Sequence, residues 1–83
     1  MSEVELDGRI ATRFLEVVAE TLAIDVVDPS RTFQDLDGDS LSAIIVVETL
    51  REEGIVASAE ALLSSEPLER VAARLEASHP GPR

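Results

Sequence analysis

The 83-residue chain contains no cysteine, lysine, tryptophan or tyrosine. Without cysteine there can be no disulfide, zinc–thiolate site or thiol nucleophile, which fits a reducing compartment. Phe14 and Phe33 are the only aromatic residues, so a core must consist mainly of Leu, Val, Ile and Ala. His79 is the only histidine, and it lies near the chain end beside Pro80. These absences leave little machinery for catalysis, and we expect no enzyme and no catalytic residue.

Long apolar runs are also absent. The segment MSEVELDGRI is acidic and has no unbroken apolar stretch, so it cannot be a secretory signal. No run elsewhere is long enough to span a membrane. We therefore expect a cytoplasmic protein with no membrane partner.

Acidic residues outnumber basic ones by 17 to 7, which gives a formal net charge of −10. Nucleic acid and anionic lipid are poor partners for such a chain, because binding them requires surplus Lys and Arg. A basic patch on another protein is a suitable partner, since complementary charge steers the encounter.

Helical periodicity runs through three stretches, and no segment alternates convincingly like a strand. The first helix is predicted from about Val4 to Leu22. The last follows Pro67, with Ser64 or Ser65 as its cap, and a short helix from an N-cap at Ser58 to about Ser64 precedes it. The predicted class is all-α, a small four-helix bundle with three longer helices, one short helix and a long loop between the first two. We expect one domain over residues 1–83, with a core at about 4–77 and a flexible tail at 78–83.

The middle helix is predicted from about Ser40 to Glu53, with Gly54 as its C-terminal stop. It carries two apolar stripes, although a surface helix needs only one. We assign the stripe with the better length to the core, and it consists of Ala43, Val46, Val47, Leu50 and Gly54. The other, Leu41, Ile44, Ile45 and Glu48, is then at least partly exposed, as interaction sites are. The alternative is a central helix that is buried on most sides.

A long segment, residues 23–39, separates the first and middle helices, and loops of this length are often functional. Val26, Val27, Phe33 and Leu36 are the apolar residues that could attach it to the core. The segment ends in the heptapeptide DLDGDSL, residues 35–41, which has several possible interpretations.

Calcium binding and serine hydrolysis both fit the heptapeptide poorly. An EF-hand loop that began at Asp35 would need glycine at position 6 and glutamate at position 12, where this chain has Ser40 and Val46. A hydrolase elbow, G-x-S-x-G, would need a second glycine where Ser42 stands, a preceding strand and a histidine base. We therefore expect no metal site and no intrinsic acyl transfer.

Helix capping and covalent attachment remain. Asp39 is a good N-cap, and Asp37 adds negative charge near the positive end of the helix dipole. In addition, a serine at a helix N-terminus is exposed and lies beside backbone N–H groups that favour a phosphate. Ser40 could therefore receive a phosphodiester from another enzyme without being a strong nucleophile itself. We expect Gly38 to let the chain turn.

The stretch FQDLDGDSLSAIIVVETLREEG resembles the phosphopantetheine-attachment region of carrier proteins. Their hallmark is an aspartate–serine–leucine triplet, here Asp39-Ser40-Leu41, after a glycine-containing turn that Phe33 and Leu36 precede. The resemblance covers roughly Ile10 to Leu75 and includes the four-helix layout. Within this family, the chain is most similar to the aminoacyl or peptidyl carriers of nonribosomal peptide assembly, in the stretches GDSLSAI, LREEGI and VAARL. We expect the chain to be a discrete carrier. Two features depart from that subtype. These carriers often have a polar or basic residue at the position of Ile45, and the link into the last helix is short.

The resemblance implies a covalent 4′-phosphopantetheine from coenzyme A on Ser40, flanked by Asp39, Leu41 and Ser42, with Ser42 near enough to hydrogen-bond the arm. It implies a partner surface with an apolar centre and a charged rim, consisting of Leu41, Ile44, Ile45, Glu48 and Glu52. The implied partners are a phosphopantetheinyl transferase, an adenylating or acyl-loading enzyme, and condensing, tailoring or thioesterase enzymes that act on a monomeric carrier. Two alternatives stay open: an acyl carrier of a polyketide, fatty-acid or cell-wall pathway, and a cofactor-free acidic helical adaptor.

Overall fold

The computed structural model describes residues 2–79, and their side chains from residue 9 onward. It contains four α-helices, α1 (Ser2–Leu22), α2 (Ser40–Glu52), α3 (Ala59–Leu63) and α4 (Leu68–Ser78), and a short 3₁₀ helix (Gln34–Leu36) between α1 and α2. This described part of the chain has no strand. The predicted all-α fold with three longer helices and one short helix is confirmed. Within residues 2–79, no helix is long and apolar enough to cross a membrane.

One core joins all four helices. α1 packs against α4 and α2, and α3 packs against α2 and α4. Both phenylalanines are fully buried in this core, one from α1 and one from the loop before the 3₁₀ helix. The buried set is Phe14, Val17, Val18, Val27, Phe33, Ala43, Val46, Leu50, Ile55, Leu62, Leu68, Val71, Ala72 and Leu75.

Two helices end in the same backbone motif. After α2, Gly54 adopts a left-handed conformation (φ 83°), and the N–H groups of Gly54 and Ile55 donate to the carbonyls of Arg51 and Leu50. This arrangement is a Schellman motif and confirms Gly54 as the stop. α1 ends in the same way, but there the left-handed residue is Ala23 (φ 59°), whose Cβ makes that conformation unfavourable.

The long loop is fixed at several points. Val27 and Phe33 enter the core and Leu36 packs partly against it, as predicted, whereas Val26 is 81% exposed and does not. The N–H groups of Leu68 and Glu69, at the start of α4, donate to the loop carbonyls of Arg31 and Pro29 at 2.8 Å each. Loop carbonyls therefore satisfy the first two of the four orphan donors of α4.

Of the N-caps predicted for α3 and α4, the first is confirmed and the second is wrong. Ser58 caps α3 by accepting from the N–H of Ala61. Pro67 occupies the N-cap position of α4 and makes no side-chain bond, so neither Ser64 nor Ser65 caps that helix. The Ser64 hydroxyl instead donates to the carbonyl of Ala61, at the end of α3.

At the other end of α4, Ser78 is the last helical residue and His79 is the C-cap. His79 Nε2 accepts from the N–H of Val56 at 2.9 Å, so its Nδ1 carries the proton and faces the carbonyl of Leu75 at 2.9 Å. Two residues of the predicted tail are thus hydrogen-bonded to the domain. Residues 80–83 lie outside the described part of the chain.

Candidate functional site: the turn and helix start around Ser40

A buried aromatic ring supports the turn before Ser40. The carbonyl of Phe33 accepts from the N–H groups of Leu36 at 3.1 Å and Gly38 at 3.0 Å. A Cβ atom at Gly38 would lie 2.4 Å from two atoms of the Phe33 ring, closer than real Cβ atoms approach. Glycine is therefore required here by the close approach of backbone to ring.

The chain turns at Asp37 and not, as expected, at Gly38. Asp37 adopts the left-handed conformation (φ 69°), and Gly38 does not. Aspartate tolerates this conformation better than most residues, because its short side chain can bond locally. The N–H of Asp37 donates to the carbonyl of Gln34 at 2.9 Å, which closes the 3₁₀ helix.

A reciprocal cap then starts α2. Asp39 Oδ1 accepts from the N–H of Ser42 at 2.9 Å, and Ser42 Oγ accepts from the N–H of Asp39 at 2.8 Å. Ser42 Oγ also lies 2.8 Å from Asp39 Oδ1 and donates to it. The backbone N–H and the hydroxyl of Ser42 hold the pKa of the Asp39 carboxyl below its usual range. Asp39 is confirmed as the N-cap, with Ser42 as its partner in a capping box.

The bonds of Ser42 to Asp39 conflict with the predicted role of Ser42 as a hydrogen-bond donor to the arm. Its one hydroxyl proton is directed at Asp39, so it is not free to donate to a group on Ser40. The signal was present in the sequence, because Asp39 and Ser42 have the D-x-x-S spacing of a capping box, although glutamate or glutamine is the usual residue at the third helical position.

Two of the three aspartates of the heptapeptide, Asp35 and Asp39, accept hydrogen bonds from backbone N–H groups. Asp35 Oδ2 accepts from the N–H of Thr32 at 3.2 Å, while Thr32 Oγ1 accepts from the N–H of Asp35 at 3.0 Å. Asp39 forms the cap described above. Among the side chains that the structure describes, residues 9–79, no three histidine or acidic groups come together as a metal-binding group.

Ser40 is the first residue of α2 and is exposed. Because Ser40 and Leu41 occupy the first two positions of the helix, their N–H groups have no acceptor within it. The described hydrogen bonds around Ser40 belong to Asp39 and Ser42 and leave its hydroxyl free. His79 uses both ring nitrogens at the other end of the domain, so no imidazole activates this serine. What the geometry offers is an accessible hydroxyl in a fixed position.

The two stripes of α2 face opposite directions. Ala43, Val46 and Leu50 are fully buried and Val47 is partly buried, which confirms the core assignment, although Gly54 is exposed. Leu41, Ile44 and Ile45 remain 67%, 51% and 45% exposed, so the alternative of a helix buried on most sides is excluded. Glu48 and Glu52 are also exposed. At 3.6 residues per turn, these five residues and Ser40 share an arc of about 140°.

Comparison with known proteins agrees with this geometry. The family model described as "Phosphopantetheine attachment site" matches residues 12–75, most of the chain. A search of curated proteins found no match. The chain belongs to the phosphopantetheine-attachment family, and its cofactor is a covalently attached 4′-phosphopantetheine. Domains of this family are generally non-catalytic acyl carriers, which act with a phosphopantetheinyl transferase and with acyl-handling enzymes.

The residues at the start of α2 fit the phosphate end of this group. Its phosphodiester needs a reachable hydroxyl, which Ser40 provides. Its negative charge is favoured by the N-terminal end of a 13-residue helix, where the N–H groups of Ser40 and Leu41 lack intrahelical partners. The Asp39 carboxylate opposes that charge, but it is directed at Ser42.

Proposed function

We propose that Ser40 is the residue that bears phosphopantetheine, and that the chain carries aminoacyl or acyl intermediates between enzymes of a nonribosomal peptide or hybrid natural-product pathway. The observation that carries the proposal is the free, exposed hydroxyl of Ser40 at the first position of α2, within a chain of the attachment family. When bound, the arm supplies a terminal thiol on which acyl groups are held as thioesters. The chain itself supplies an attachment point and a recognition surface, and no catalysis.

In this proposal the residues next to Ser40 have separate tasks. Asp39 and Ser42 hold the start of α2 through their reciprocal cap, which fixes the backbone that carries the serine. Leu41 lies beside the attachment point and is the most exposed apolar residue of α2. The Ser42 hydroxyl retains only accepting capacity toward the arm, since its proton is directed at Asp39.

The proposed recognition surface consists of Leu41, Ile44, Ile45, Glu48 and Glu52. Ile44 lies one turn from Ser40, so an enzyme that acts on the arm's attachment point can contact the apolar centre of this surface. The acidic rim suits partners with basic residues around an apolar depression. Rim charges then control the rate of encounter and its salt dependence, whereas the apolar centre controls the lifetime of the complex.

The attachment proposal is tested by intact-mass measurement after incubation with coenzyme A and a broad-specificity phosphopantetheinyl transferase. We expect a phosphopantetheine adduct on the wild type and on Ser42→Ala, and none on Ser40→Ala. Ser42→Ala is the matched control, because it removes the neighbouring hydroxyl. An adduct that persists in Ser40→Ala would overturn the assignment to Ser40.

The aminoacyl subtype needs a separate experiment. The carrier with its arm attached is offered to a panel of amino-acid-adenylating enzymes and to acyl-loading enzymes of polyketide and fatty-acid type, and the loaded mass is measured. We expect aminoacylation by members of the first group. Loading only by the second group would favour an acyl carrier. The cytoplasmic location expected from the sequence stays a prediction.

The other function that the sequence left open, a cofactor-free acidic adaptor, is disfavoured because the chain belongs to a family that carries phosphopantetheine. The exposed apolar side chains of α2 would serve such a protein equally well. It predicts that partner binding survives Ser40→Ala and needs no arm, so the same variant separates the two.

A further inference from the structure

α3 is the helix with the least intrinsic stability. It has five residues, whereas isolated helices shorter than about 12–15 residues are marginal in water. Its buried anchor is Leu62, and Ser58 caps its start. At its other end the last carbonyls have no partners within the helix. The position of α3 therefore depends on contacts with the rest of the chain.

A side chain from the Ser40 turn meets that end. Gln34 Nε2 donates to the carbonyl of Leu63, the last residue of α3, at 2.6 Å across 29 positions of sequence. The backbone carbonyl of the same Gln34 accepts from the N–H of Asp37. Gln34 thus belongs to the 3₁₀ helix of the turn and also binds α3.

This hydrogen bond closes a ring of contacts around the attachment point. The turn leads through Asp39 into α2, α2 packs against α3, and Gln34 connects α3 back to the turn. The bond requires a donor at position 34, because a backbone carbonyl can only accept. It does not involve the Asp39–Ser42 cap, which fixes the start of α2 independently.

We infer that Gln34 is a positioning residue for the transfer of phosphopantetheine to Ser40. This inference rests on the proposed attachment at that serine. An enzyme that forms a standard-size interface covers about 800 Å² of its partner. That is about 15% of the 5297 Å² surface of this chain and extends well beyond the first turn of α2. Gln34 keeps the end of α3 and the turn in one arrangement for such an enzyme to contact.

The sharpest variant is Gln34→Met, which keeps the length and neutrality of the side chain and removes its N–H donor. The matched control is Thr12→Met, another exposed neutral polar residue, on α1. In steady-state assays with a phosphopantetheinyl transferase, we expect Gln34→Met to raise KM for the carrier about fivefold, the usual worth of one hydrogen bond. We expect kcat to stay within about twofold, since the Ser40 cap is intact, and Thr12→Met to match the wild type.

Hydrogen exchange measures the same bond without any enzyme. The amides of α3 should exchange about fivefold faster in Gln34→Met. Gln34→Lys, which restores a donor at similar length, should return their protection toward the wild-type value.

The inference is overturned if Gln34→Met leaves KM unchanged, or if it lowers kcat at constant KM. It is also overturned if exchange of the α3 amides does not respond to loss of the donor. Failure of the attachment itself would look different, because the wild type would then gain no adduct while α3 exchange would still depend on Gln34.

Discussion

The backbone of Gly38 rests on the ring of Phe33, so closely that a Cβ atom at Gly38 would lie 2.4 Å from that ring. Phe33 is fully buried, so the ring has little freedom to move aside. Ser40 follows two residues after this contact. The position of the proposed attachment serine is thus set from the core through one aromatic side chain.

Gly38→Ala should therefore destabilise the protein by about 1–3 kcal/mol, as overpacked substitutions do. The cost should fall when Phe33→Leu provides room, so the two changes should couple in a double-mutant cycle of urea unfolding. Additive free energies of unfolding would show that the Phe33 ring is not the obstacle.

Ala23→Gly should stabilise the protein by about 0.5–1 kcal/mol. Ala23 holds a left-handed conformation at the end of α1, which costs a residue with a Cβ about 1–2 kcal/mol, and the flexibility of glycine in the unfolded chain offsets part of the gain. Ala73→Gly, at an exposed position inside α4, is the control and should lose about 1 kcal/mol. Thermal or urea unfolding measures both, and destabilisation by Ala23→Gly would contradict this account of the helix end.

Ile44→Asp should leave the free energy of unfolding within about 0.5 kcal/mol, because the side chain is half-exposed on α2. It should reduce processing by partner enzymes about tenfold or more, as loss of a central apolar contact does. Val46→Asp, two residues along on the buried side, is the comparison and should unfold the domain. If Ile44→Asp lowers the melting temperature as much as Val46→Asp does, Ile44 belongs to the core and the surface is assigned wrongly.

The cap at Asp39 should be sensitive to acid. Because hydrogen bonds from Ser42 lower the folded-state pKa of Asp39, its carboxylate contributes stability above the unfolded value of about 3.9. That contribution is lost as the pH falls through the lowered folded-state pKa. Asp39→Asn keeps a good N-cap and cannot titrate.

The measurement is the free energy of unfolding of both proteins from neutral pH down to about pH 3. The difference between wild type and Asp39→Asn should be constant above about pH 5 and should move in favour of the asparagine variant below about pH 4. Parallel curves over the whole range would show that Asp39 does not lose its cap on protonation.

The sequence predicted the features that depend on local pattern. The limits of α2, the Asp39 cap and the Gly54 stop follow from residue types a few positions apart, and all three are confirmed, the end of α2 to within one residue. The choice of buried stripe on α2 also held, because Ala43, Val46 and Leu50 repeat at helical spacing. The location of the candidate site followed from the same short stretch.

Features that depend on distant partners could not be predicted. Gly38 was assigned the turning role of Asp37, because its contact with the Phe33 ring becomes visible only in three dimensions. The bonds of Gln34 to Leu63 and of His79 to Val56 join residues more than 20 positions apart. Val26 was expected inside the fold on hydrophobicity alone, which does not say which of two adjacent valines faces the core.

The central claim is that Ser40 bears the phosphopantetheine, and localisation of the modification tests it most directly. The protein is treated with coenzyme A and a phosphopantetheinyl transferase, digested, and fragmented by tandem mass spectrometry. The account predicts that all of the added mass lies on Ser40, with Ser42 and the other serines unmodified. Added mass on Ser42 or on any other residue would contradict it.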